Sequence, residues 1–123
     1  MTDQRVIIEM GMGNDLYGMD YQKAAERAIE DAMRHSSLPL FETLGLSHDQ
    51  MRVQVTLGVQ EPDVLDTAAL AARLPRGRAT VTAVKGGQNV THPQTGNTIV
   101  IATAAIEAFL PNQSAYWKAT DKA

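Results

Sequence analysis

The sequence predicts an α+β fold, a two-layer sandwich with one long and one short helix on a mixed or antiparallel sheet of about four strands. Two observations predict this class. Segments rich in β-branched residues alternate with a strongly amphipathic helical segment, and the elements follow the order β-α-β-α-β-β. With 123 residues and no linker-like stretch, the chain is expected to form a single domain, residues 1–123, with a polar tail at residues 111–123.

The N-terminal third predicts a strand, a glycine loop and the clearest helix of the chain. A β-branched run from Arg5 to about Met10 is typical of a strand, and the glycines after it indicate a loop over residues 11–18. Asp20 is placed to cap a helix over residues 21–35, where apolar residues recur at helical spacing. We expect this helix to cover one face of the sheet.

The rest of the chain predicts three strands and a short helix. After a packed loop over residues 36–50, apolar and polar side chains alternate strictly over residues 51–59, as in a strand with one buried face. Asp66 is placed to cap a short helix. Residues 78–87 and 97–109 predict two further strands joined by a hairpin, and the Ala-rich second half of the last segment suits either a strand or a helix.

The last apolar segment leads to a prediction about assembly. Residues 98–109 are apolar at almost every position, which is typical of a strand buried on both faces. One long helix covers only one face of a sheet, so the second face needs another cover. A second subunit is the simplest source of that cover, and the sequence therefore predicts a homo-oligomer.

The composition of the chain limits the binding partners and the cellular compartment that can be expected. Apolar residues make up 44% and charged residues 20% of the chain, as in soluble globular proteins, and no apolar run is long enough to cross a bilayer. The net charge of -3 and the lack of clustered Lys and Arg argue against binding to nucleic acid. The lack of cysteine and of a signal-peptide pattern in MTDQR predicts a cytoplasmic protein that does not bind a membrane.

The stretch GMGNDLYG, residues 11–18, is the candidate binding loop. It departs from the dinucleotide motif G-x-G-x-x-G because Leu16 stands where the third glycine is required. It departs from the phosphate loop because Met19 and Asp20 replace the required Lys and Ser or Thr, and Asp15 would repel a phosphate. No nucleotide or other cofactor is therefore expected.

The longer stretch IEMGMGNDLYG resembles the signature G-x-G-x-D-x-H-G of a small family of conserved hypothetical proteins of bacteria and plants. The helix, the alternating strand, the segment LPRGRATVTAVKGG and the late apolar strand occur there in the same order, so the resemblance covers nearly the whole chain. Gly11, Gly13, Asp15 and Gly18 keep the signature, whereas Tyr17 takes the place of its His. The resemblance implies no particular activity, and Tyr17 removes the imidazole as a base or metal ligand.

The order of strand, loop, helix and alternating strand is also similar to the repeating unit of ring-opening amidohydrolases that act on cyanuric acid and barbiturate. Those enzymes consist of three related domains around a central site, so the similarity implies a closed ring of subunits here, a trimer or larger. The sites of those enzymes follow a pattern of paired Ser and Lys residues. This chain offers Lys85 before Gly86 and Gly87 but no Ser beside it in sequence, so their chemistry does not transfer directly.

The candidate site combines two possible proton-transfer groups with two glycine segments. Asp15 and Lys85 are the candidate catalytic residues, and backbone N–H groups of the glycines would stabilise an oxyanion. The candidate ligand-binding residues are Gly11, Gly13, Tyr17, Gly18, Gly86 and Gly87. Structural roles stay open beside these: Asp15 as a turn anchor, Tyr17 as an interface residue and Lys85 as a solvated side chain.

Two functions remain open from the sequence. The first is an oligomeric protein that binds a small polar molecule between subunits, with hydrolysis of a cyclic amide as its boldest form. The second is a non-catalytic structural or regulatory subunit of an assembly, in which the glycine loop is only a tight connection. The three histidines lack the spacing of a metal site, so no metal is expected in either case.

Overall fold

The computed structural model describes residues 3–34, 50–74 and 78–111. These residues form a five-stranded mixed sheet with a long and a short helix on one of its faces. The α+β class is as predicted, although the sheet has five strands rather than about four. The predicted packed loop, apart from its last residue, and the polar tail after Pro111 lie outside the described residues.

The elements follow one another along the chain in the order β-α-β-α-β-β-β. Their bounds are β1 Asp3–Asp15, α1 Tyr21–Arg34, β2 Arg52–Val59, a 3₁₀ turn Pro62–Val64, α2 Thr67–Ala71, β3 Arg78–Lys85, β4 Gln88–Thr91 and β5 Thr98–Pro111. No helix among the described residues is long and apolar enough to cross a membrane.

Strand β5 is the centre of the sheet. It pairs along one edge with β1, and along its other edge with β2 and then with the short β4, all antiparallel. β3 extends the sheet by pairing in parallel with β2. The sequence left open whether the second half of the last segment is a strand or a helix. It is a strand, because both edges of β5 are hydrogen-bonded to neighbouring strands.

Strand β1 is longer than predicted and runs through the expected glycine loop. Gly11 and Gly13 belong to the antiparallel ladder with β5, and the loop begins only after Asp15. A Cβ atom on Gly11 would lie 2.7 Å from the carbonyl oxygen of Ala28, and one on Gly13 would lie 2.5 Å from that of Ala24. The two glycines therefore allow the backbone of α1 to approach β1 closely, a requirement that local sequence pattern does not reveal.

Both helices begin at the predicted capping residues. The carboxylate of Asp20 accepts a hydrogen bond from the backbone N–H of Lys23 at 3.0 Å, and that of Asp66 accepts one from the N–H of Ala69 at 3.0 Å. The Gln22 side chain then joins the two helix starts, because its amide donates to the carbonyl oxygen of Asp66 and accepts from its N–H. These bonds fix the helices to each other on one side of the sheet.

The core lies between the helices and the face of the sheet that we call the inner face. It consists of α1 residues, most of them alanines, against larger residues of the strands and of α2. The chief members are Ala24, Ala25, Ala28, Ile29, Val55, Leu57, Leu70, Val100 and Leu110. None of the described helices packs on the opposite face, which we call the outer face. Residues that point to it include Ile8, Met10, Met12, Thr56, Val84, Val90, Thr103 and Ala105.

Candidate functional site

A depression of about 530 Å³ opens on the outer face. Its lining comes from four strands, the glycine segment after β3 and one helical residue: Met10, Gly11, Met12, Asp31, Thr56, Gly58, Val84, Gly86, Thr103, Ala104 and Ala105. Pockets for small molecules commonly measure roughly 300–1,000 Å³ and combine apolar walls with a few polar groups. The depression has both properties.

The polar groups of the depression are few. Thr56 and Thr103 contribute hydroxyl groups that can donate and accept hydrogen bonds. Asp31 contributes a carboxylate that accepts from the backbone N–H of Met12 at 3.0 Å and pairs with Arg34 at 3.4 Å. The site can therefore bind a molecule through two hydroxyl groups and apolar contact, while its carboxylate is engaged with the protein.

Glycine gives the depression its floor where two backbone segments cross. A Cβ atom on Gly58 would lie 2.7 Å from Oγ1 of Thr103 and 3.3 Å from Cα of Gly86. The N–H of Gly86 donates to the carbonyl oxygen of Val59 at 2.9 Å and holds the crossing together. Any side chain at Gly58 would therefore displace a wall of the site.

Asp15 lies at the end of β1 and is buried. Its Oδ2 accepts from the backbone N–H of Asp20 at 3.0 Å, and its Oδ1 lies 3.6 Å from Nη1 of Arg27. The same Arg27 nitrogen donates to the carbonyl oxygen of Asn14 at 2.7 Å. The carboxylate thus closes the loop between β1 and α1, which is the turn-anchor role left open by the sequence, and it does not line the depression.

The loop closed by Asp15 presents an apolar tip, which we define as Leu16, Tyr17 and Met19. All three side chains are exposed, and Tyr17 is exposed over 76% of its surface. Gly18 and Met19 have positive φ angles of 94° and 51°, respectively. Gly18 is present because the backbone turns into this left-handed region, and Met19 is held there although methionine disfavours it.

Lys85 ends β3, is exposed and lies opposite Val59 in the sheet. Gly86 and Gly87 then carry the chain from β3 to β4, and Gly87 has a φ of 61°. The side-chain amide of Gln60 donates to the carbonyl oxygen of Gly86 at 3.0 Å. The glycine pair is therefore first a strand-to-strand connection, and Gly86 alone of the three residues lines the depression.

The structure brings together part of the candidate site. Of the eight residues named from the sequence, Gly11 and Gly86 line the same depression, and the other six lie outside its lining. Sequence reasoning missed Met10, Met12, Val84 and the two threonine hydroxyl groups. The alternation of β2 did place Thr56 and Gly58 on the polar side of that strand, a signal that could have pointed to the outer face.

An ion pair fastens the beginning of β1 across the sheet. Nε of Arg52 donates to Oδ2 of Asp3 at 2.8 Å, and the guanidinium group lies 4.0 Å from the ring centre of Phe109. The hydrogen bond from Arg52 holds the pKa of the Asp3 carboxyl below its usual value, and Asp3 raises the pKa of Arg52. This pair is structural and contributes nothing to the depression.

The family model described as conserved hypothetical protein, Lin0512_fam, matches residues 5–108. The chain belongs to this family. The membership confirms the predicted kinship with a family of conserved hypothetical proteins. The match to Lin0512_fam includes every residue that lines the depression.

A solved structure is similar to this Lin0512_fam member over almost its whole length. It is the crystal structure of an FtsZ-like protein of unknown function from Nostoc punctiforme PCC 73102. The two chains are 37% identical, with a TM-score of 0.80, and the similarity covers 91% of this chain and 99% of the other. Among curated proteins, none matches significantly.

Proposed function

We propose that this protein is a homo-oligomer that binds a small polar molecule in the depression of its outer face, at an interface between subunits. The observation that carries the proposal is the depression itself. It lies on the sheet face on which none of the described helices packs, and it brings together Gly11 and Gly86 from two distant glycine segments.

The exposed side chains around the depression support the subunit interface. Met10 and Met12 of β1 are 68% and 57% exposed on the single subunit, and Val84 of β3, across β5 and β2 from them, is exposed as well. Large apolar side chains that are neighbours on a surface commonly mark an interaction site. A second subunit over this face would remove them from water and would enclose a ligand bound beneath.

The hydroxyl groups of Thr56 and Thr103 support a polar ligand. They are the neutral side-chain groups in the lining that can both donate and accept hydrogen bonds. A small molecule with a flat apolar body and polar edges, such as a cyclic amide, suits such a lining. Hydrolysis of that amide is the boldest form of the proposal, and it would have to rely on a base other than the engaged carboxylate of Asp15.

The second candidate function is a non-catalytic structural or regulatory subunit of an assembly. The role of Asp15 favours it, because both carboxylate oxygens contact groups of the protein, and the candidate lysine, Lys85, lies outside the lining. In this case the outer face binds another subunit and the depression holds no ligand.

Thermal denaturation with a library of small polar molecules that includes cyclic amides tests the proposal. We compare wild type with Thr103→Val, which removes a hydroxyl group from the lining, and with Thr80→Val on the same sheet face as a matched control. A true ligand raises the melting temperature of wild type and of Thr80→Val, and it binds Thr103→Val roughly fivefold or more weakly. Equal shifts in all three proteins would contradict the site. An oligomer that no compound stabilises would support the second candidate.

A further inference from the structure

The apolar tip formed by Leu16, Tyr17 and Met19 has a defined conformation despite its exposure. The carboxylate of Asp15 closes the loop by accepting from the N–H of Asp20, which in turn caps α1. The tip is therefore anchored at one end to the sheet and at the other to the long helix. A preorganised apolar protrusion loses little conformational freedom when it binds, which favours docking into another surface.

Two surfaces account for most of the apolar exposure among the described residues. Eight of the ten large exposed apolar side chains lie either on the tip or on the outer face: Leu16, Tyr17, Met19, Ile8, Met10, Met12, Val84 and Val90. With roughly 200 Å² for each whole side chain and about half of it open, they present on the order of 800 Å². A standard interface buries ~1,600 Å², of which somewhat more than half is apolar, so the two surfaces suffice for one stable contact.

We propose that in the oligomer the apolar tip of one subunit inserts into the depression of the next, so that Tyr17 of the partner subunit completes the binding site. The inference rests on the proposed function and adds the residue that encloses its ligand. A depression of about 530 Å³ is large enough to hold both a tyrosine ring and a small molecule.

The arrangement of the two surfaces determines the kind of assembly. The tip and the depression are different parts of the chain, so their contact is heterologous and every subunit uses both surfaces once. Heterologous contacts of this kind form rings when the rotation between subunits closes. Each site in such a ring has its floor on one subunit and an aromatic wall on the neighbouring subunit.

Engineered cysteines test this contact directly, because the chain has no cysteine of its own. The double variant Leu16→Cys/Val84→Cys is treated with a short thiol-to-thiol crosslinker and analysed on a denaturing gel. Tip docking predicts a ladder of covalently linked subunits up to the size of the ring. The control Val64→Cys/Val84→Cys, with an exposed residue away from both surfaces, should give no ladder.

The outcomes separate this inference from the proposed function. An oligomer in which Val84→Cys alone forms covalent dimers, or in which the double variant forms no ladder, would contradict tip docking and leave the oligomer intact. A monomer at every concentration would contradict the proposed function as well.

A second measurement isolates the tyrosine. Tyr17→Ser should raise the subunit dissociation constant at least about tenfold, while Tyr17→Phe and the control Val64→Ser should leave it nearly unchanged. Tyr17 is exposed in the single subunit, so its replacement should not affect folding at low concentration. Equal association of Tyr17→Ser and wild type would overturn the inference.

Discussion

The two faces of the sheet solve the problem of burial in opposite ways. On the inner face, Gly11 and Gly13 of β1 have no side chains, so the backbone of α1 at its alanines lies directly against the strand. On the outer face the same strand directs Ile8, Met10 and Met12 to solvent. In this part of β1, small residues thus line the inner face, which the chain covers with its own helix. Large exposed residues line the outer face, for which we propose a second subunit as the cover.

The largest expected effect is a loss of stability from a substitution at the inner face, where α1 contacts β1. Gly13→Ala places a Cβ atom 2.5 Å from the carbonyl oxygen of Ala24 and forces α1 away from β1. We expect the free energy of unfolding to fall by about 3 kcal/mol or more, because backbone atoms cannot move aside as a flexible side chain can. Chemical denaturation measures this loss.

Gly96→Ala is the matched control for that substitution. Gly96 has a φ of 76° and no atom within 4 Å of an added Cβ, so its replacement suffers only from the backbone conformation, about 1 kcal/mol. Equal losses in the two variants would show that conformational freedom, and not close helix–strand contact, explains Gly13.

The second prediction concerns a charged substitution on the outer face and its effect on the association of subunits. Met10→Lys adds a charge to a side chain that is 68% exposed in the single subunit, so the subunit should fold normally. Burying that unpaired charge at an interface is costly, and the subunit dissociation constant should rise about a hundredfold. Sedimentation velocity measures the effect, with Val64→Lys as the exposed control. If both variants dissociated to the same extent, the outer face would have no special role in subunit association.

The third prediction concerns the loop between β1 and α1, which Asp15 closes. Asp15→Asn keeps an acceptor for the N–H of Asp20 and should be nearly neutral, whereas Asp15→Ala leaves that donor without its partner. We expect Asp15→Ala to lower the free energy of unfolding by about 1 kcal/mol. Thermal denaturation of both variants checks the anchor. If Asp15→Asn instead lost much of its thermal stability, the negative charge of Asp15 and its contact with Arg27 would be the main source of stabilisation.

The smallest expected effect is the pH dependence of the ion pair at the start of β1. Arg52 lowers the pKa of Asp3 in the folded protein, so the pair stabilises the fold above the unfolded-state pKa of about 3.9, and this contribution is lost as the pH falls through the lower folded-state pKa. The melting temperatures of wild type and Asp3→Asn should differ at about pH 6, and the difference should shrink as the pH falls below about 3.9. A difference that persists in acid would assign the stabilisation to another interaction.

Periodicity and capping predicted the elements that depend on local sequence. The long helix begins at its predicted cap Asp20, the short helix follows Asp66, and the alternating strand was placed within one residue. The glycines of β1 were assigned to a loop because their close contact with α1 arises only in the tertiary fold. The short β4 was missed because its four residues gain their order from pairing with β5.

The site was predicted less completely than the fold. Glycine spacing drew attention to Gly11 and Gly86, which line the same depression, but sequence distance concealed that Met10, Val84 and Thr103 line it as well. Three strands that are far apart along the chain supply those side chains, and their neighbourhood depends on the strand order of the sheet. Asp15 carried the chemical hypothesis, yet its contacts are those of a loop anchor.

The central claim, that another subunit covers the outer face, is tested most directly by oxidation of Met10 and Met12 with peroxide, followed by mass spectrometry over a dilution series. Both side chains are more than half exposed on the single subunit and should oxidise readily when the protein is dilute. We predict that both become protected at concentrations where the mass is a multiple of 13.3 kDa. Oxidation at the rate of a free methionine at every concentration would contradict the account.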